Sequence, residues 1–171
     1  MGETKPNEGA TALEIETLAK QKAINEERAK FLSLSAFTPE TKFIDVMYSG
    51  KGIDGRTVIA LGNFTIHIRS TGHKIGKIWD EKLGVNIEGE AAFDDGTIRL
   101  RHDVCGIDFK RRFREKNEIE ALIEGSNEQS TLICHVIIVF RGTGSFELNG
   151  LPEDTAQDIR GMIYNWMVGT Y

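Results

Sequence analysis

The spacing of hydrophobic residues divides the chain into a helical beginning, a long alternating middle and a helical end. Residues 11–30 read TALEIETLAKQKAINEERAK, with no Gly or Pro and many strong helix formers, and therefore predict a helix. Its large apolar residues form only a thin stripe, which favours a helix lying on the domain. A projecting helix that binds a partner is the alternative. Pro39 marks the end of this region.

From residue 41 onward apolar and polar residues alternate, as is typical of half-buried strands. The segment RTVIALGNFTIHIRS predicts two strands that meet at Gly62–Asn63, with Phe64, Ile66 and Ile68 on one face. Asp94–Gly96 predicts a hairpin turn between two later strands. Further strands are predicted at residues 106–113 and 131–140 and, from a weaker alternation, at residues 118–124.

The strand predicted at residues 131–140 is apolar on both faces, so both faces need a covering layer. Residues 152–168 predict a helix that supplies this cover. Pro152 suits its first turn and Gly169 its end. An apolar stripe at helical spacing indicates core packing; it comprises Ile159, Ile163, Trp166 and Met167.

Together these elements predict an α+β, mainly β fold, a small antiparallel barrel or curled sheet with an N-terminal helix and a packed C-terminal helix. We expect residues 1–38 to form a polar leader and the N-terminal helix. Residues 39–171 are expected to form the barrel-like domain that ends in helix 152–168. A length of 171 residues with 40% hydrophobic content suits one such domain.

Net charge and cysteine content narrow the class of function. A net charge of −5 argues against general nucleic-acid binding, which needs excess Lys and Arg. Cys105 and Cys134 are too few for a disulfide framework and suit a reducing compartment. The chain has no apolar run long enough to cross a bilayer and no secretory signal at its start, so we predict a cytoplasmic location without a membrane span.

The basic residues concentrate between Arg99 and Lys116, where seven bases and three acids give a local charge of +4. Apolar residues occupy even positions before Cys105–Gly106 (Ile98, Leu100, Val104, with His102) and odd positions after it (Ile107, Phe109, Phe113). A bulge at the glycine produces such a change of register.

With that bulge, the basic side chains are expected to point outward. Guanidinium groups bind carboxylates and phosphates through paired hydrogen bonds, so an acidic or phosphate-bearing partner is expected. A solvated strand face without a partner is the alternative. The predicted ligand-binding or partner-binding residues are Arg99, Arg101, Asp103, Lys110, Arg112 and Arg114.

Catalytic and metal motifs are weak. The glycines at 50, 52 and 55 match a dinucleotide-binding spacing, but a strand follows them where that motif needs a helix. The four histidines lack metal-ligand spacing, and His135 is predicted to be a hydrogen-bonded core residue. His102, Asp103 and Cys105 would suit thiol chemistry only if the chain kinks between them. We therefore predict no metal, no cofactor and no catalysis.

The segment RHDVCGIDF, followed by strands and by GTGSFELNGLPEDTAQDIRGMIYNWM, resembles the PilZ domain over roughly residues 69–167. The resemblance implies a six-stranded barrel with a C-terminal helix, and cyclic di-GMP held by an Asp/Asn-x-Ser-x-x-Gly strand and an upstream Arg-x-x-x-Arg loop. Asp103 matches the family's Asp, but Cys105 replaces its Ser, Asp108 replaces its Gly, and the arginine pair is missing. These departures are similar to those of ligand-free members that make protein contacts.

The sequence thus predicts a non-catalytic cytoplasmic module for protein interaction or assembly, which uses its basic strand face and N-terminal helix. Its partner is expected to be a protein, and self-assembly is left open. The first alternative is a sensor of cyclic di-GMP or another nucleotide. The second is a small-ligand barrel or enzyme that uses His102, Asp103 and Cys105.

Overall fold

The computed structural model describes residues 8–50, 53–113, 132–142 and 144–169, without the side chains of residues 8–10, 48–50 and 53. Helix α1 (Glu8–Phe31) comes first, and helix α2 (Glu153–Val168) comes last. The described strands between them are β1 (Lys42–Gly50), β2 (Ile53–Leu61), β3 (Thr65–Asp80), β4 (Val85–Leu100), β5 (Val104–Phe113), β6 (Leu132–Phe140) and β7 (Ser145–Leu151).

These strands form two open sheets. Sheet A has the order β1-β2-β3-β4, sheet B has the order β5-β6-β7, and every neighbouring pair is antiparallel. The predicted mainly β fold with a curled sheet and two flanking helices is confirmed. The strand predicted at residues 118–124 lies outside the described residues, and the boundary between residues 38 and 39 stays a prediction.

The inner faces of both sheets and one side of α2 share a single hydrophobic core. Ile59 and Ile68 are paired across β2 and β3 and point into it, as do Val136 and Ile138 of β6. Ile159, Ile163 and Trp166 of the predicted stripe are buried there, and Met167 is partly buried. Ala156 is buried beside them. We define the face of each sheet turned away from this core as its outer face.

Helix α2 begins and ends as its sequence predicts. Pro152 precedes the first turn, and Glu153 and Asp154 lie at the positive end of the helix dipole. Gly169 ends the helix in the left-handed conformation with φ 75°, which costs glycine little. The indole Nε1 of Trp166 donates a 2.6 Å hydrogen bond to the carbonyl of Gly62, so α2 reaches the β2–β3 turn of sheet A.

The predicted turn at Asp94–Gly96 is wrong. Strand β4 runs through these residues, and the hairpin turn lies earlier, between Asp80 and Val85. There the Asp80 carboxylate accepts hydrogen bonds from the amides of Lys82 and Leu83, which stabilises a tight turn. Asp94 is instead held in the sheet by Arg69 through two hydrogen bonds of 2.9 and 2.8 Å.

The outer part of this hairpin extends past sheet A. Strand β2 pairs with β3 only as far as Lys74, so beyond it β3 and β4 pair only with each other among the described strands. We name residues 75–90 the arm. Six large apolar side chains of the arm are exposed, and they are Ile75, Ile78, Trp79, Leu83, Val85 and Ile87.

The described side chains of α1 that are buried against the sheet lie near its C-terminal end. Ala29 and Leu32 are buried, and Leu32 packs with Val58 and Ala60 on the outer face of sheet A. Among the described side chains of α1, those that lie on the domain therefore belong to its last turns. Its earlier large apolar side chains are 44–67% exposed, and they are Leu13, Ile15, Leu18 and Ile24.

Candidate functional site: the basic strands and their surroundings

The register of β5 changes where the sequence predicts it. The pairing of β5 with β6 shifts between Val104 and Gly106, which is a bulge. After the bulge, Phe109 packs against the core and pairs with Val136. Lys110 and Arg112 point to the outer face and are exposed, as predicted. Arg114 lies outside the described residues, whereas Phe113, predicted to point inward, is 76% exposed.

The two faces of β4 are the reverse of the prediction. Ile98 and Leu100 are 66% and 47% exposed, whereas Arg99 points to the core side with its guanidinium 5.1 Å from the ring centre of Phe140. The position of the hairpin turn is the cause, because it places Arg99 opposite inward-pointing Ile66. Phe64, predicted to share a face with Ile66 and Ile68, lies instead in the turn before β3 begins and is exposed.

Arg101 fastens α2 to the β2–β3 turn. It begins the short 3₁₀ helix Arg101–Asp103, and its guanidinium lies 5.3 Å from the Trp166 ring centre. The guanidinium also donates hydrogen bonds to the carbonyls of Asn63 and Trp166. Its backbone amide donates to the carbonyl of Phe64 at 2.7 Å. Arg101 therefore acts in packing, where the sequence predicted an outward binding group.

His102, Asp103 and Cys105 do not form a catalytic triad in the structure. The imidazole Nε2 of His102 lies 3.7 Å from the Asp103 carboxylate, but the Cys105 thiol donates to the carbonyl of Val139 at 3.5 Å. A nucleophilic cysteine needs a base within hydrogen-bond reach of its thiol. The described contacts of Cys105 provide a backbone carbonyl in that position.

The predicted binding residues therefore lie in separate parts of the structure. Arg99 lies over Phe140 on the core side, and Arg101 lies against Trp166 at the end of α2. Lys110 and Arg112 share the outer face of β5, and we name this pair the basic face. Cations that bind one phosphate together must converge on it, and the described residues of this set do not converge.

Neighbouring side chains orient the basic face. The Nε of Arg112 donates to the Nε2 of His135 at 3.3 Å, and the Nδ1 of His135 lies 2.8 Å from the amide oxygen of Asn149. Because Arg112 only donates, the His135 Nε2 accepts and its Nδ1 carries the proton. His135 is hydrogen-bonded as predicted, but on the outer face of β6. This chain of contacts fixes the direction of the Arg112 guanidinium.

Arg111, between the two residues of the basic face, points the opposite way. Its guanidinium lies 2.7 Å from the Glu153 carboxylate at the start of α2 and 5.3 Å from the ring centre of Phe109. The guanidinium of Arg160, from α2, lies 5.2 Å from the same ring. Neighbouring bases in one strand therefore have different roles, and Arg111 joins α2 to sheet B.

A second group of cations, which the sequence did not single out, lies on the outer face of sheet A. The guanidinium groups of Arg56 and Arg69 each lie 4.7 Å from the ring centre of Phe31, at the end of α1. Arg56 donates to both carboxylate oxygens of Asp45 and of Glu27, at 2.7–3.0 Å. The alternation of apolar and polar residues along the strands predicts that these arginines point outward, but nothing in the sequence predicts which residues they pair with.

The carboxylates and guanidinium groups of this cluster form tight ion pairs that shift their pKa values. Hydrogen bonds from Arg56, more than those from Arg28, hold the pKa of the Asp45 carboxyl below its ordinary value. The Arg56 hydrogen bond likewise lowers the pKa of Glu27, and both carboxylates raise the pKa of Arg56. The ion pairs therefore anchor the C-terminal end of α1 to sheet A.

Two clefts open near these elements. One of about 330 Å³ is lined by apolar groups between residues 34–41 and sheet A, with His67 at its wall. Burial lowers the pKa of His67, so its imidazole is neutral near pH 7. A smaller cleft of about 130 Å³ adjoins Arg99 and Phe140.

The described residues contain no cluster of side chains suited to a metal ion.

The comparisons with known proteins assign no family. No family model, no curated protein and no solved structure matches the chain. The resemblance to PilZ domains therefore stays a prediction. Neither α1 nor α2 has both the length and the apolar content that a membrane-spanning helix needs.

Proposed function

We propose that this protein is a non-catalytic cytoplasmic module for protein interaction or assembly. It binds protein through the exposed part of α1, residues 11–24, and through the basic face. The observation that carries this proposal is the exposure of Leu13, Ile15 and Leu18 at 61–67% on a helix whose other end is firmly anchored. The free thiols Cys105 and Cys134 suit a reducing compartment.

The anchoring of α1 supports a role for its exposed part. An isolated helix as short as residues 11–24 is marginally stable in water, because most helical stability in proteins comes from packing of an apolar face. The ion pairs at Arg56 hold only the last turns against sheet A. A partner that covers residues 11–24 would stabilise the remaining turns.

The basic face supports the same role by a different interaction. Lys110 and Arg112 are exposed side by side on one outer face, and His135 orients the guanidinium. Exposed cations on a rigid strand steer an acidic surface toward the protein and fix its orientation. The contribution of such a face falls as salt screens it.

Affinity purification of the full chain from its native cell tests the proposal. Wild type is expected to retain a specific protein that elutes as salt rises. Removal of residues 1–24 and the double substitution Lys110→Glu/Arg112→Glu are each expected to reduce this binding severalfold. The truncation ends before Arg28, so it leaves the anchor of α1 intact. Equal retention by all three proteins would contradict the proposal.

Isothermal titration with cyclic di-GMP separates this role from that of a sensor. A flat titration is expected, because Arg99, Arg101 and Lys110 lie in different surroundings. Saturable binding that Arg99→Ala abolishes would overturn the interaction module in favour of the nucleotide sensor.

A further inference from the structure

The smaller of the two clefts lies between the sheets. One wall comes from residues of β4, the edge strand of sheet A, between Asp95 and Arg99. The other wall comes from the end of β6 and the start of β7, in sheet B. Its volume is about 130 Å³, whereas sites for drug-sized ligands have volumes of roughly 300–1,000 Å³. The cleft therefore suits a ligand much smaller than a nucleotide.

Arg99 differs from the other partly buried arginines. Five of the described arginines are partly buried. Four of them donate hydrogen bonds to carboxylate or carbonyl oxygens, and they are Arg28, Arg56, Arg69 and Arg101. Arg99 makes no hydrogen bond or ion pair with any described residue. A guanidinium carries five N–H donors, and donors that are withdrawn from water are normally hydrogen-bonded. The Arg99 side chain therefore has donors to offer a ligand.

Two neighbours hold this guanidinium beside the cleft. It lies 5.1 Å from the ring centre of Phe140, a ring that is itself buried in the core. A Cβ atom at Gly144 would lie 3.7 Å from the Arg99 Nη2, so the guanidinium lies close to this glycine of the cleft wall. The amide of Phe140 donates to the carbonyl of Gly144 at 3.2 Å, which fixes these two neighbours relative to each other. The aromatic contact supplies no oxygen acceptor, so the N–H groups stay available.

The rest of the lining combines hydroxyl groups with apolar surface. Thr97 points to the same side of β4 as Arg99, because alternate residues of a strand share a face. Thr97 and Ser145 add hydroxyl groups that can donate a hydrogen bond to an anion. Phe140 and Phe146 supply apolar surface to the same cleft. The lining therefore suits a molecule with one anionic end and a short apolar body.

The charges of the lining distinguish between classes of anion. Arg99 is its single cation, and Asp95, further along β4, is its single carboxylate. A phosphate group carries a charge of about −1.5 to −2 at neutral pH and is usually held by more than one donor group of positive charge. A carboxylate carries one charge, and its two oxygens match the paired N–H groups of one guanidinium. The lining therefore favours a carboxylate over a phosphate.

We propose that this cleft binds a small carboxylic acid in its anionic form, with the carboxylate accepting paired hydrogen bonds from Arg99. The apolar body of the acid lies against Phe140 and Phe146. Because the walls belong to different sheets, the bound acid joins sheet A to sheet B and stabilises the folded chain. This site does not depend on the proposed function, which uses α1 and β5.

Nuclear magnetic resonance of the ¹⁵N-labelled full chain tests this site, with sodium acetate, butyrate and benzoate added at constant ionic strength. Wild type is expected to show saturable amide shifts at Thr97, Gly144 and Ser145, and its melting temperature is expected to rise with the acid. Arg99→Gln is expected to weaken binding by at least about tenfold, because it removes the charged hydrogen bonds. Arg99→Lys, which keeps the charge but loses the paired geometry, is expected to weaken it less.

Matched controls separate contact with the acid from total charge and from misfolding. Arg160→Gln makes the same charge change at an arginine that lies 5.2 Å from the ring centre of Phe109, outside the cleft, and is expected to bind the acids like wild type. Asp95→Asn removes the carboxylate of the lining and is expected to strengthen binding. Thermal unfolding without ligand checks that each variant is folded. If Arg99→Gln unfolds, the affinity of Arg99→Lys decides.

Three results would overturn the proposal. They are the absence of saturable shifts at the cleft with all three acids, equal affinities for wild type and the Arg99 variants, and an equal loss of affinity in Arg160→Gln. Inorganic phosphate at the same ionic strength is expected to bind severalfold more weakly than the acids, and tighter binding of phosphate would contradict the carboxylate assignment. The retention of a protein partner is measured separately, so the proposed function can stand or fail independently of this site.

Discussion

The outer faces of the two sheets both carry arginines, yet their surroundings differ. On sheet A, Arg56 and Arg69 pair with carboxylates and stack on Phe31, because the end of α1 covers them. On sheet B, Lys110 and Arg112 are exposed, and His135 orients the guanidinium. The same outward arginine is therefore part of the fold in one sheet and part of an exposed surface in the other.

The ion pairs on sheet A follow from the end of α1, which lies on that sheet. The Asp45 side chain is only 14% exposed and is shared by Arg28 and Arg56, so helix and sheet are joined through one carboxylate. Hydrogen bonds to charged groups at such partly buried sites contribute more than exposed ion pairs. Charge substitutions on sheet A should therefore change stability, and those on the basic face should change binding.

Among the single substitutions, the largest effect on stability is expected from Asp45→Ala. It removes the carboxylate between Arg28 and Arg56, and we expect the free energy of unfolding to fall by about 2–3 kcal/mol. Urea unfolding measures this change. The matched control is Asp108→Ala on the exposed outer face of β5, where a change within about 0.5 kcal/mol is expected. Equal losses from the two variants would remove the distinction between the sheets.

A smaller loss is expected from Phe31→Leu. The substitution keeps an apolar side chain but removes the ring on which Arg56 and Arg69 stack. Two such contacts contribute about 1–2 kcal/mol in total. Phe113→Leu, at a ring that is 76% exposed, is expected to leave the unfolding midpoint unchanged. An unchanged midpoint for Phe31→Leu would show that the stacking is energetically neutral.

Acid is expected to loosen the α1 anchor. Because Arg56 lowers the pKa values of Asp45 and Glu27 in the folded state, these carboxylates stabilise it above their unfolded pKa values. That stabilisation is lost as pH falls below about 4 and through the folded pKa values. Wild type should therefore lose more unfolding free energy on acidification than Asp45→Asn. Parallel pH profiles for the two proteins would contradict this assignment.

The smallest effect on stability is expected from Lys110→Glu/Arg112→Glu. Both side chains are exposed, so the free energy of unfolding should change by no more than about 0.5 kcal/mol for each substitution. The matched reversal Arg56→Glu/Arg69→Glu places carboxylates beside Asp45 and Asp94 and is expected to lower the melting temperature strongly. Thermal unfolding compares the two. Similar melting temperatures would mean that the sheets do not differ.

Much of the fold could be predicted because local patterns specify it. The stripe of α2, its Gly169 end and the bulge at Gly106 each follow from periodicity or from a single glycine. The faces of β4 could not be predicted in this way. They depend on where the β3–β4 hairpin turns, and the Asp80 turn prevails over the stronger-looking Asp94–Gly96 signal.

The sequence predicted the candidate site correctly only where the direction of a side chain depends on alternation within a single strand. Lys110 and Arg112 point outward as alternation requires, given the bulge. Arg101 and Arg111 have partners in α2, which lies more than 40 residues further along the chain. The exposure of α1 also depends on tertiary contacts, because the ion pair between Arg56 and Glu27 attaches the last turns of the helix to sheet A.

Acylation footprinting of lysines tests the central claim most directly, namely that the basic face is a binding face. The full chain is labelled with a small amine-reactive reagent when dilute and when concentrated or bound to its captured partner, and the sites are quantified by mass spectrometry. Lys110 is expected to lose reactivity in the bound form, while exposed Lys42 at the start of β1 reacts equally in both. Unchanged reactivity of Lys110 would contradict the claim.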